Sequence, residues 1–209
     1  YTSIGGGQDN TASDGWSTVS GGRDNTASGE YASVGGGEDN TADVDHATVG
    51  GGLQNSALGI STTIGGGWFN RTSSLGYGTV AGGRANTANG QHSTVPGGWG
   101  LFAQSSGEIA VGRFNDTLGY VPSPGSWVAT DRILVVGSGE DDANRANAMV
   151  VLKNANTGIG RSFPAHKLDV DGDLRLQTGT AVGNIVDSLT LDGFTTADNI
   201  ADTMLLTGS

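Results

Sequence analysis

Residues 16–30 read WSTVSGGRDNTASGE, residues 31–45 YASVGGGEDNTADVD and residues 46–60 HATVGGGLQNSALGI. Each 15-residue segment opens on an aromatic residue or His and places a β-branched residue three positions later. A glycine run, an Asn and a Thr-Ala or Ser-Ala pair follow. Upstream, residues 1–15 (YTSIGGGQDNTASDG) fit the same pattern. Downstream, STTIGGGWFNRTSSLG (61–76) carries one extra residue, and YGTVAGGRANTANGQ (77–91) restores the period. HSTVPGGWGLFAQSSGE (92–108) is longer and has lost the Asn. A fainter eighth unit follows in Ile109-Ala110-Val111-Gly112-Arg113-Phe114-Asn115. Repetition at a fixed period marks an architecture of stacked units.

The columns of the repeat have distinct physical uses. Ile4, Val19, Val34, Val49, Ile64, Val80 and Val95 supply one β-branched residue per unit, which favours a strand. Ala12, Ala27, Ala42, Ala57 and Ala88 supply one small apolar residue, with Thr72 standing in once. These two columns form the expected inward face of a coil. Asn10, Asn25, Asn40, Asn55, Asn70 and Asn86 form a third column. Asn tolerates left-handed backbone, and stacked coils would align its amides in a ladder. The glycine runs argue against a helix, because each interior glycine costs about 1 kcal/mol there. The expected fold is all-β: two short strands per unit, stacked into parallel sheets. One β-branched residue and one alanine bury little surface against the entropy of ordering a coil. Lateral association of several chains is therefore expected, and it would also cover sheet edges.

The units S-T-V-x-G-G-x-x-N-T-A-S-G resemble the head repeats of trimeric autotransporter adhesins of the YadA-like kind. The resemblance covers residues 1–115. It implies a left-handed parallel β-roll or β-solenoid of about 15-residue turns, three chains abreast, on a surface adhesin. The usual head repeat carries a second aliphatic residue in an S-V-A-I-G pattern, and here glycine fills that slot. A second resemblance lies in Asp131-Arg132-Ile133-Leu134-Val135-Val136-Gly137-Ser138-Gly139, Arg145 to Asn154, Asn156-Thr157-Gly158-Ile159-Gly160 and Lys167-Leu168-Asp169-Val170-Asp171-Gly172. That order is similar to a module of phage tail fibres and large bacterial surface proteins. Three segments are thus expected: the repeat domain at 1–115, a linker at 116–130 around Pro122-Ser123-Pro124-Gly125-Ser126, and a β-rich fibre module at 131–209. The last is expected to be intertwined or prism-like in a trimer. Ile133–Val136, Met149–Leu152, Leu168–Leu176 and Leu189–Leu191 read as strands, and Thr195–Ala201 as one helical turn.

Composition narrows the function. Glycine supplies 38 of 209 residues, against a usual share of about 7%. The net charge of −11 argues against a nucleic-acid or anionic-membrane partner. No apolar run is long enough for a membrane-spanning helix, so direct membrane insertion is not expected. The chain has no Cys, which removes disulfides and thiolate metal sites. With Tyr1 in place of an initiator Met, it reads as a processed product or fragment.

Catalytic, metal and cofactor sites are not expected. Of three His, His46 and His92 share the repeat position of Tyr1, Trp16, Tyr31 and Tyr77, which reads as a surface or interface stripe. Asp169, Asp171 and Asp173 alternate as in a calcium loop, but Leu174 and Thr180 stand where that loop needs Gly and Glu. Trp68-Phe69 interrupts a polar column, as do Trp99, Leu101 and Phe102 two units later. Such aromatics read either as a binding patch for sugar or protein, or as packing at a trimer axis or roll cap. The expected function is a non-enzymatic homotrimeric fibre that binds a cell-surface glycan or protein receptor. It would work outside the cell, on a bacterial surface or a phage-like tail. The alternatives are a purely structural filament or spacer and, third, a glycan depolymerase spike.

Overall fold

A computed structural model describes residues 1–172. These residues hold nineteen short strands and no helix. Ser3–Ile4, Thr18–Val19, Ser33–Val34, Thr48–Val49, Thr63–Ile64, Thr79–Val80 and Thr94–Val95 stack in one parallel sheet, which Ile109–Arg113 extends. Thr11–Ala12, Thr26–Ala27, Thr41–Ala42, Ser56–Ala57, Arg71–Thr72, Thr87–Ala88 and Phe102–Ala103 stack in a second. Partners lie one repeat apart, Val34 between Val19 and Val49. The extra residue in the fifth unit leaves the register intact, with Val80 still opposite Ile64. Single bridges make a third line of contact through Gln8, Arg23, Glu38, Leu53, Trp68, Arg84, Trp99 and Arg113. Residues 3–113 form a parallel β-solenoid.

Backbone amides hold the coils together. In extended segments they donate to the following coil, as Thr18 N does to Ala32 O at 2.9 Å and Thr26 N to Asn40 O at 2.8 Å. At two corners of each coil the backbone enters the left-handed region, for example at Asp39 (φ 57°) and His46 (φ 60°). There the amide points the other way. Asp39 N donates to Arg23 O at 3.0 Å, and His46 N to Glu30 O at 2.8 Å, both in the preceding coil.

The interior contains the expected valine and alanine columns, fully enclosed from the second coil onward. It also contains two more. Ser17, Ala32, Ala47, Thr62, Gly78 and Ser93 form an enclosed column of small residues. The Asn side chains are equally buried and form a continuous ladder. Asn55 Nδ2 donates to Gly51 O and Gly67 O, both at 2.9 Å, and to Asn40 Oδ1 at 3.0 Å. Its Oδ1 accepts from Asn70 N and Nδ2 at 3.0 and 3.1 Å. Room for this amide comes from Gly52 (φ +94°), where a Cβ would lie 2.2 Å from Gly67 O and 2.8 Å from Asn55 Nδ2. The glycine runs thus serve the Asn ladder. In place of a second aliphatic residue, each of the first six coils is filled by hydrogen-bonded amide, and the seventh by Leu101. The interior is fuller than two apolar columns alone would make it.

Beyond the eighth coil, Arg132–Ser138 pairs in parallel with Ile109–Arg113, Leu134 opposite Ile109. Asn147–Leu152 and Thr157–Ile159 follow antiparallel, and Leu168–Val170 pairs in parallel with the last of these. The apolar runs Ile133–Val136 and Met149–Leu152 lie within these strands. Segment 116–130 contains no strand but is tied back to the solenoid. Gln91 N donates to Pro124 O at 2.7 Å, and Arg132 N to Tyr120 Oη at 3.0 Å. The readings at Asp173, Leu174, Leu176, Leu189–Leu191 and Thr195–Ala201 lie outside the described residues.

Candidate functional site

The bridge line places one outward side chain per coil, about 4.8 Å from the next. In its lower half these are polar, and Arg23 pairs with Glu38. Leu53 ends that run, and above it aromatic and cationic residues alternate: Trp68, Arg84, Trp99, Arg113. The Arg84 guanidinium carbon lies 4.1 Å from the Trp68 ring centroid and 4.9 Å from that of Trp99. Arg113 lies 5.3 Å from Trp99 on its other side. Each such contact contributes on the order of 0.5–1 kcal/mol at an exposed site. The Arg84 guanidinium thus lies between the two indoles.

The adjoining corner column runs Asp9, Asp24, Asp39, Gln54, Phe69, Ala85, Gly100, Phe114, non-glycine members at positive φ. Asp suits this backbone, whereas a phenylalanine there costs about 1–2 kcal/mol. Phe114 recovers that cost by burial against Trp99 (5.1 Å between centroids), over Gly100, whose absent Cβ would meet the Phe114 ring at 2.4 Å. Phe69 (φ 57°) does not, since it remains 52% exposed with a tilted contact to Trp68 at 5.6 Å. Phe69 borders a groove of about 380 Å³ lined also by Asp39, Gln54, Ser56, Asn70 and Arg71. Arg71 reaches it from the outer face of the second sheet, where most coils carry Thr or Ser.

Of the four aromatics singled out in the sequence, three therefore come together. Trp68, Phe69 and Trp99 share one exposed patch. Phe102 stands apart on the second sheet, half-buried, with the Arg145 guanidinium 4.7 Å from its ring. Arg145 also donates to Gly100 O at 2.7 Å and pairs with Asp142, so Phe102 is part of the packing that closes the coil end. Arg71 and Arg84 belong to the patch and were missed in the sequence. Arg84 occupies the repeat position of Trp68 and Trp99, so aligning the units by column exposes it.

A second group of ionisable residues closes the solenoid interior. Glu108 continues the small-residue column above Ser93 and is fully buried. Its Oε2 accepts from Gln104 N and Ser105 N, both at 2.8 Å. Burial raises its pKa above the usual carboxylate value, against the lowering effect of those amides and of Arg132. Buried Arg132 lies 4.1 Å from the Tyr120 ring and donates to Asp116 O at 2.8 Å. Burial lowers its pKa.

The aromatic corner column forms a second exposed stripe. Trp16 and Tyr31 stack at 6.4 Å, Tyr31 and His46 at 5.1 Å, and, beyond Ser61, Tyr77 and His92 at 4.8 Å. Among the described residues, no three His, Asp or Glu side chains converge to hold a metal, and no helix is long and apolar enough to cross a membrane.

No protein-family model and no curated protein matches the chain. The fold alone defines the class, a β-solenoid repeat protein.

Proposed function

We propose that the chain is a non-enzymatic fibre subunit that attaches its bearer, a bacterial surface or a phage-like tail, to a receptor outside the cell. The observation that carries this reading is the exposure of Trp68, Phe69 and Trp99 on one side of the solenoid, in columns that carry Gln, Asp, Arg and Glu in the first three coils. A rod holds such a patch at a fixed distance from its base, and exposed aromatics without a core role mark contact with a partner. Three left-handed coils abreast, as in the adhesin heads the repeats resemble, are the assembly we favour. The exposed stripe Tyr1, Trp16, Tyr31, His46 is a suitable seam between copies. Two measurements test the proposal. Sedimentation equilibrium at micromolar concentration is expected to give the mass of three chains, and a monomer refutes that part. Labelled protein is expected to bind intact host cells saturably. Absence of binding across cell types favours the spacer, a reading to which the polar outward columns of the first three coils are also suited.

A further inference from the structure

We infer that Trp68, Phe69, Arg71, Arg84 and Trp99 form a binding site for an acidic glycan, a sugar chain carrying carboxylate or sulfate groups. This rests on the attachment reading above and gives it a ligand class.

Charge pairing is the first argument. The protein carries a net charge of −11, so acids to pair with are plentiful. Arg23, Arg145, Lys153 and Arg161 each have a carboxylate partner, and Arg113, Arg132 and Lys167 donate to backbone carbonyls. Among the described residues neither Arg71 nor Arg84 has one within ion-pair distance, although Asp39 lines the same groove as Arg71. Arg84 is also immobilised between Trp68 and Trp99. A guanidinium held between two rings and without a carboxylate partner keeps a planar fork of N–H donors, which matches an oxyanion bidentately.

The second argument is the company these arginines keep. Phe69 holds an exposed ring on left-handed backbone, with little packing in return. Exposed rings on the same backbone recur at Trp16, Tyr31 and Tyr77, and what marks Phe69 is its own column, where the four coils before it carry Asp or Gln. An exposed flat ring offers a platform to the C–H face of a sugar, and Asp39 and Gln54 along the same groove offer acceptors and donors to its hydroxyls. The groove volume of about 380 Å³ lies within the ~300–1,000 Å³ range of small-ligand sites.

Isothermal titration of the full chain tests the site with four probes: oligogalacturonate for carboxylate, a heparin-derived hexasaccharide for sulfate, maltohexaose as the neutral sugar and poly-glutamate as the acidic peptide. At least one acidic sugar is expected to bind roughly tenfold tighter than maltohexaose, and Arg84→Gln to remove about that advantage. Arg23→Gln, on the same line of bridges but outside both the patch and the seam, is expected to bind as wild type does. Equal affinity for maltohexaose, equal affinity for poly-glutamate, undiminished binding by a folded Arg84→Gln variant, or no binding of either acidic sugar overturns the inference. Phe69→Gly keeps the test independent of folding, since it relieves backbone strain. It is expected to weaken sugar binding, and unchanged affinity counts against the site. Cell attachment is scored separately. If wild type and Arg84→Gln attach equally, the glycan site falls and the attachment reading stands. If wild type attaches to no cell, the attachment reading falls.

Discussion

Replacing Asn55 by Ala tests the logic of the interior. The wild-type amide makes five contacts, three through Nδ2 and two through Oδ1. Some partners survive its loss. Gly67 O still accepts from Leu53 N at 2.9 Å, and Asn70 Nδ2 still donates to Gly66 O and Gly83 O. The Asn70 backbone N–H loses its acceptor in a buried position. An orphaned buried donor costs about 1–3 kcal/mol, and each lost neutral bond a further ~1. The expected destabilisation is therefore about 3–5 kcal/mol. Asn55→Asp should be worse at neutral pH, because a buried carboxylate would face Gly51 O, Gly67 O and Asn40 Oδ1, all acceptors. Urea unfolding followed by circular dichroism at constant protein concentration measures the free-energy change. Hydrogen exchange at Asn70 reports the local effect. A loss below about 0.5 kcal/mol for Asn55→Ala, with Asn70 protection unchanged, would refute the claim that the ladder holds the coils together.

Three further outcomes follow from local geometry. Gly52→Ala drives a Cβ to 2.2 Å from Gly67 O and should cost upwards of about 3 kcal/mol, whereas Gly82→Ala, whose Cβ meets only Gly66 O at 4.0 Å, should be nearly neutral in the same urea assay. Ala85 sits at φ 53° in a column whose first three members are Asp, so Ala85→Asn should raise stability by about 0.5–1 kcal/mol, read as a higher melting temperature. Burial raises the pKa of Glu108, so the folded chain holds that proton more tightly than the unfolded chain does. Its contribution favours folding at low pH and declines as pH rises above the usual value of 4.5 through the raised folded value. The stability of wild type relative to Glu108→Gln should therefore fall on going from acid to neutral pH, and parallel profiles would exclude the effect.

The strands and the Asn ladder were legible because each is a column of one residue type at a fixed period, and a period of that kind has a single stacked solution. The column Ser17, Ala32, Ala47, Thr62, Gly78, Ser93 was not legible. Its members share smallness alone, and their burial depends on the left-handed corner just before them, as at Trp16 and Tyr31. Large aromatics on such backbone are rare enough that sequence preference argues against the turn they make. At the candidate site, Trp68, Phe69 and Trp99 stood out as departures from their columns. Arg71 and Arg84 did not, because a single arginine in a polar column reads as solvated. What sets Arg84 apart is the residue on the coil below and the one above, a relation between positions 68, 84 and 99 that appears only once the coils are stacked.

Pro96 gives the rod a mechanical character. Backbone bonds between coils run along the solenoid axis, so a pull on its ends loads the bonds at each junction side by side and the junctions one after another. Gly50 N donates to Ile64 O at 2.8 Å and Ala81 N to Val95 O at 3.0 Å, but Pro96, the next residue in that column, has no N–H to give. Leu101 occupies the Asn slot in the same coil, so its side chain carries no amide across that junction either. The seventh junction therefore lacks one backbone bond and one ladder amide, and the Asn115 side chain spans it from the far side instead, its Oδ1 accepting from Phe102 N at 2.8 Å and its Nδ2 donating to Phe102 O at 3.0 Å.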